Sequence, residues 1–352
     1  MLRQIARLGH GVPSISSKAL AVAVYASAND DTVVAREAGF EGVACVDDAA
    51  RALELYCELW RATKLPWTLR WCEGLLDFVL AMQDDDGRWV NFIRDWGGSP
   101  NRVGRTSVAG GDFWQARAML SLATASRALD DPRIDRAFES GLPYLIENGA
   151  PPDVRSLHVL AVLAMSRDRE RRHLQSVLSS WCDELVACRD GDVLMNSSVE
   201  VGEPHLWAHY QESALADASV VLDRPELLDA ARRSADALFT PLIHSGFDRP
   251  LTSPFDVATS YDVMTRLAAA SGEATYHVLA GEAREWFNGR NPSGQPVYDR
   301  EKGRVADGID HGRLNAHSGA ESNIVGAQAQ FSDVIASAGR FALDEVSAPD
   351  WT

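Results

Sequence analysis

The chain has 352 residues, 46% of them hydrophobic and 24% charged, enough to bury a large core. Its formal net charge of −16 argues against a nucleic-acid or anionic-membrane partner, since both need clustered Lys and Arg. No run approaches the ~18 apolar residues of a membrane span, the opening MLRQIARLGHGVPSISS lacks a secretory core, and Cys45, Cys57, Cys72, Cys182 and Cys188 form no CxxC pair. A cytoplasmic protein with free thiols and no metal site is expected.

The pattern is helical nearly throughout. Residues 16–28 (SSKALAVAVYASA) predict a short apolar helix that Ser16 or Ser17 would cap. A polar loop runs through Gly42, and 45–63 predict a second helix ending before Pro66. A third covers 67–82, with Leu69, Cys72, Leu75, Leu76 and Val79 on one face. DDDG is then a turn, RWVNFIRDW a strand or hairpin arm, and GGSPNRVGRTSVAGG a long Gly-rich loop. Loops beyond ~12–15 residues in a compact domain are usually functional or disordered; the arginines here favour function.

A helix restarts at Asp112, and another covers 132–148. Helices at 153–166 and 170–188 follow, then a long connection over 189–204 with room for a hairpin. Tightly joined helices at 205–222 and 225–240 lead to a third long loop, 241–255. The last hairpin covers 256–271 and 274–289, the fourth long loop 290–318, and the final helix 319–338. The tail SAPDWT is expected to fray.

Alternating short and long connections predict antiparallel hairpins with every long loop at one end. Six such hairpins closing in a ring make an all-α (α/α)6 toroid, one domain over 1–352, with small β-hairpins in the long loops and the first helix against the last. Helices after long loops are rich in Ala, Gly and Ser, as a crowded inner ring needs; their partners carry charged faces. An open solenoid is the alternative, but the hairpins share no repeat consensus.

On this plan the inner-helix N-termini and long loops converge on one mouth. The candidate catalytic residues there are Asp47, Asp48, Asp112 and Glu321; the candidate sugar-binding residues are Trp89, Asn91, Trp114, His209, Tyr210, Glu212, Asp307, His311 and Asn315. Aromatic faces stack on sugar rings, carboxylates accept from hydroxyls, and two carboxyl groups across a glycosidic bond supply acid and base. Each acid also has a plainer role: Asp47, Asp48 and Asp112 as helix caps, Glu321 as first-turn charge. His205 and His209 stand four apart, but Leu206 occupies the place of the zinc-protease Glu, so no metal is expected. His209, Tyr210 and Glu212 line a pocket or satisfy one another in the core.

Two stretches resemble a known family. EGVACVDDAARAL is similar to a GYCTDDNARAL motif, and the C-terminal stretch through NAHSGAES to a PLYD…DG…NENQGAES signature. Both belong to an α/α-toroid, six-hairpin-glycosidase-like family often fused to or encoded beside glycosyltransferases and mannoside phosphorylases. The matching positions are Asp47, Asp48 and Arg51, then Asp307, Gly308, Asn315, Gly319, Glu321 and Ser322. Val46, Ala49, His317 and Ser318 depart from the pattern, and Asp112 and Arg117 echo the family's middle motif only with shifted spacing. The resemblance implies the toroid, Arg51 as a site residue and association with a glycosyltransferase.

These readings lead to a carbohydrate-active enzyme without cofactor. A glycoside hydrolase comes first, with Glu321 or Asp112 as acid, Asp47 or Asp48 as base, and Trp89, Trp114 and His209 holding the sugar. A sugar epimerase or isomerase using His209 or His311 is the second reading, and a non-catalytic glycan-binding partner of a glycosyltransferase the third.

Overall fold

The computed structural model describes residues 1–27, 41–166, 174–199 and 202–343. Backbone contacts divide the chain into two compact units. Unit one takes Met1–Asn148, Asp299–Asp307 and the described chain from Ala316 onward; unit two takes Gly149–Tyr298 and Gly308–Asn315. Unit one opens with α1 (Leu2–Leu8), α2 (Val46–Thr63), α3 (Pro66–Ala81), α4 (Asp112–Ala125) and α5 (Pro132–Glu147). Unit two holds α6 (Pro152–Ser166), α7 (Gln175–Ala187), α8 (Gln211–Leu222), α9 (Pro225–His244), α10 (Pro254–Ser271) and α11 (Ala274–Glu285). The chain then returns to unit one for α12 (Ala320–Ala329) and α13 (Phe331–Leu343).

Each unit sorts its helices into a buried row and a covering row. In unit one, α2 packs between α4 and α12, with α3 and α5 as hairpin partners of α2 and α4 and α1 against α12. In unit two, α6, α8 and α10 lie side by side, each paired with the helix that follows it. The buried-row helices carry Ala where neighbours press closely: Ala116, Ala118 and Ala123 in α4, and Ala214, Ala216 and Ala218 in α8, are all fully buried. The covering helices bury one stripe only, such as Ile134, Phe138, Leu142 and Leu145 of α5.

Local chemistry sets the ends. Asp131, followed by Pro132 in the first turn, caps α5. Ser253 and Asp256 form a reciprocal capping box at α10, which Gly272 terminates in the left-handed region.

Among the described residues 16–27 of the helix expected over 16–28, no helix forms. Leu20–Val22 is a strand paired with Gly9–Gly11, and the first helix is α1. A short, fully buried apolar run has no solvent face, so its period cannot separate strand from helix; Val22 favours the pleat. α8 starts at Gln211 rather than 205, and the final helix divides at Gln330 into α12 and α13. The expected start of the 170–188 helix and the tail lie outside the described residues.

Candidate functional site

In unit one the strand pair Ala44–Cys45 and Phe92–Ile93 delivers the chain into α2. Asn91 fixes the junction. Its carbonyl accepts from the Val46 N–H at 2.8 Å, its side-chain oxygen accepts from the Asp47 N–H at 3.1 Å, and its amide donates to the Thr106 carbonyl at 2.9 Å. Asp48 N–H is met by Cys45 Sγ at 3.4 Å. The helix is therefore capped by Cys45 rather than by either acid, which leaves both carboxylates for other partners.

Those partners are arginines. Arg51, one turn into α2, reaches Asp48 at 2.8 Å, Asp47 at 3.5 Å and, from the first turn of α12, Glu321 at 2.7 Å. Arg117 of α4 grips the same Asp47 oxygen at 2.5 Å. Two buried guanidiniums thus join three helices through three carboxylates. The three acids differ in exposure: the Asp48 side chain is 4% exposed, Asp47 22% and Glu321 46%. Glu321 is the one a solvent-borne molecule meets.

Asp307 completes the group. It accepts from the Gly319 N–H, at the cap of α12, at 2.8 Å, and its own N–H donates to the His317 carbonyl. Tyr25 and His317 hydrogen-bond beside it. Burial raises the Asp307 carboxyl above its ordinary range, and the Gly319 and Ser322 donors only partly offset that. Burial likewise pushes Asp48 up to about 6; Arg51 opposes the rise, and the charges of Glu321 and Asp47 add to it. Asp47 goes the other way, because Arg117 and Arg51 outweigh its burial and hold it below the usual range.

The Asp48 shift has a stability consequence with a definite sign. The folded protein holds this proton more tightly than the unfolded chain, whose Asp carboxyls titrate near 3.9. Asp48 therefore opposes folding increasingly as the pH rises from about 4 to about 6. Asp48→Asn removes that slope. The melting temperature of the variant, relative to wild type, is expected to climb across this interval in thermal scans. An offset that stays constant with pH would show that Asp48 titrates normally.

The remaining unit-one residues named above are placed as follows. Asp112 opens α4 and is exposed; Gly111 is the cap residue. Trp89 is fully buried, with its indole N–H donating to the Val79 carbonyl at 2.8 Å, so it packs the core. Trp114 is half-buried and donates to the Trp89 and Val108 carbonyls, pinning the Gly-rich loop. Tyr25 was hidden from the sequence reading by the helix expected there; Arg117 appeared only as a shifted echo of a motif.

In unit two, His209 and Glu212 are fully buried. His209 Nδ1 donates to Asn196 Oδ1 at 2.6 Å and its Nε2 faces Glu212 Oε1 at 3.2 Å, while Ser234 donates to the same Glu212 oxygen. Tyr210 is half-buried against Phe255. His311, at φ +45°, forms the exposed tip between the strands Gly308–Asp310 and Arg313–Asn315, and Asn315 is exposed on the second strand. His205 and Asp153 approach to 3.3 Å. Among the described residues, no group of three or more His, Cys, Asp or Glu is arranged to hold a metal ion, and no helix is long and apolar enough to cross a membrane.

No family model and no curated protein matches the chain. Solved structures do. A sugar epimerase from a ruminal bacterium is 12% identical, with 96% of this chain and 99% of that one covered at a TM-score of 0.69. A cellobiose 2-epimerase from Bacillus thermoamylovorans is 11% identical over 95% and 96% at 0.70, and a glycosyl hydrolase of family 88 from Bacteroides vulgatus 10% identical over 82% and 92% at 0.58. The fold is the all-α toroid. At these identities the likeness speaks to architecture alone.

Proposed function

We propose that the chain is a sugar-processing enzyme whose proton-transferring groups are Glu321 and Asp307, with glycoside hydrolysis as the reaction. The observation that carries this reading is the Arg51 bridge. It ties the paired acids of α2 to the first turn of α12 and leaves Glu321 half exposed. Glu321 would activate water, and Asp307, whose carboxyl holds its proton to a higher pH than usual, would protonate the leaving oxygen. Asp47, Asp48, Arg51 and Arg117 position them. The bridge joins the two stretches that resemble the glycosyltransferase-associated toroid family, which adds support, as do the carbohydrate-active neighbours. The test is release of reducing ends from a panel of oligosaccharides by wild type, Glu321→Gln and Asp307→Asn; undiminished release by both variants would sink the assignment.

A second reading, sugar epimerisation or isomerisation, has one observation in its favour. The two epimerases superpose on this chain at TM-scores of 0.69 and 0.70, the family 88 hydrolase at 0.58. It predicts solvent deuterium entering a sugar C–H bond without reducing-end release. His209 does not suit such a reaction, being fully buried between Asn196 and Glu212.

A further inference from the structure

In unit two, two long loops begin close together, one after α9 and one after α11, and a groove of about 470 Å³ lies between them. Its first wall is the end of α9. The chain leaves that helix through two successive left-handed residues, Gly246 at φ +66° and Phe247 at φ +60°. The second is rare for a residue with a Cβ, and such outliers gather where a ligand is held. Phe247 is kept there by burial of its ring, by its N–H donating to the Leu242 carbonyl at 2.8 Å and by the Thr252 hydroxyl donating to its carbonyl at 3.2 Å. The second wall is the turn Gly289–Pro292. Gly289 sits at φ +110°. Asn291 donates to the Trp286 and Gln295 carbonyls at 2.7 and 2.9 Å, and its oxygen accepts from the Ser293 N–H and hydroxyl. The walls come together at Gly246, where a Cβ would lie 3.1 Å from the Arg290 carbonyl oxygen, closer than side-chain carbons normally pack.

The walls are held by their own backbone and amide bonds, but two side chains on the groove are not. Among the described residues, neither the His244 imidazole nor the Asp248 carboxylate has a hydrogen-bond or ion-pair partner. Arg290, on the opposite wall, reaches Glu282 at 3.2 Å, so its charge is balanced. Asp248 is then the uncompensated charge, and the C-terminal end of α9 adds partial charge of the same sign. The groove therefore disfavours an anion and favours a ligand that donates hydrogen bonds. Its lining is polar apart from Pro292 and the glycine backbone, whereas an apolar ligand needs hydrophobic and aromatic walls. Its volume falls within the roughly 300–1,000 Å³ of small-molecule sites. We propose that this groove is an accessory site for one neutral sugar ring. Asp248 accepts from a pair of neighbouring hydroxyls, His244 meets a third, and Pro292 lies against the apolar face of the ring. Walls that are rigid before binding lower the ordering cost. The class of ligand rests on the function proposed above, while the groove shares no residue with the Arg51 group.

The test is titration of the full chain with neutral α- and β-linked gluco- and manno-disaccharides, followed by NMR at the His244 Cε1–H resonance, which His244→Ala identifies by its loss. Wild type and Glu321→Gln are expected to show the same saturable shift of that resonance, since Glu321 takes no part in the groove. Asp248→Asn is expected to weaken the affinity about tenfold, the usual effect of removing a charged hydrogen-bond acceptor. Its melting temperature should barely change, because the side chain is exposed. Disaccharides bearing a uronic acid should bind more weakly than the neutral ones. A His244 resonance that no neutral disaccharide shifts overturns the proposal, as does wild-type affinity in Asp248→Asn or tighter binding of the uronates. The two readings part cleanly. Sugar converted by wild type with the His244 resonance unmoved overturns the groove alone. A saturable shift weakened by Asp248→Asn, with no sugar ever converted, supports the groove and overturns the reaction.

Discussion

Glu321→Gln is expected to lower turnover by roughly 10²–10⁴-fold with little change in KM, the usual loss when a positioned proton-transfer group is removed. The substitution suits the site. The amide oxygen of Gln can still accept from Arg51, so the 2.7 Å contact that fixes the side chain persists while its basicity is lost. Glu321→Asp is the complementary variant: it keeps the charge but withdraws it by one methylene, breaking the Arg51 contact. It should fall between wild type and Glu321→Gln. Single-turnover assays on the best oligosaccharide separate chemistry from release. If Glu321→Gln turned over like wild type, the half-exposed carboxylate would be a surface feature of the ion-pair group and nothing more.

Arg51→Met is expected to have the largest effect on stability, about 3–5 kcal/mol, the usual consequence of stripping one partner from a buried ion pair. Arg51 is 6% exposed and faces three carboxylates at once. Without it, Asp48 loses the cation that opposes its burial, and Asp47 keeps only Arg117. Glu321 also loses its anchor, so turnover should fall with stability. Adding Asp48→Asn to Arg51→Met should restore part of the loss, because the acid left most buried is then neutral. Urea denaturation of the two single variants and the double variant measures both effects. A single variant within about 1 kcal/mol of wild type would mean that the three acids do not depend on this guanidinium.

The architecture could be read from the chain because its signals are local. Period-3.6 runs, the short joints at Asp131–Pro132 and Arg224–Pro225, and the Ala-rich buried row survive in any context. The approach of Asp47 and Asp48 to Glu321 was also readable, since all three acids lie in the first turns of helices that follow long loops. Side-chain orientation was not. Trp89 and Trp114 both sit where a sugar platform was sought, yet Trp89 turns inward because its indole N–H finds the Val79 carbonyl. His209 has the right neighbours for a pocket, but Asn196, thirteen residues earlier, draws it into the core.

The order in which the chain emerges during synthesis gives the Arg51 bridge a further meaning. Arg51 and Glu321 are 270 residues apart, and nearly all of unit two lies between them as one continuous segment, Gly149–Tyr298. At the ~5–20 residues per second of translation, Arg51, Asp47 and Asp48 wait tens of seconds for α12. Unit two has all of its helices before then. A nascent chain that stalls before Glu321 therefore carries every described helix of unit two together with a first unit in which Arg51 lacks its Glu321 partner.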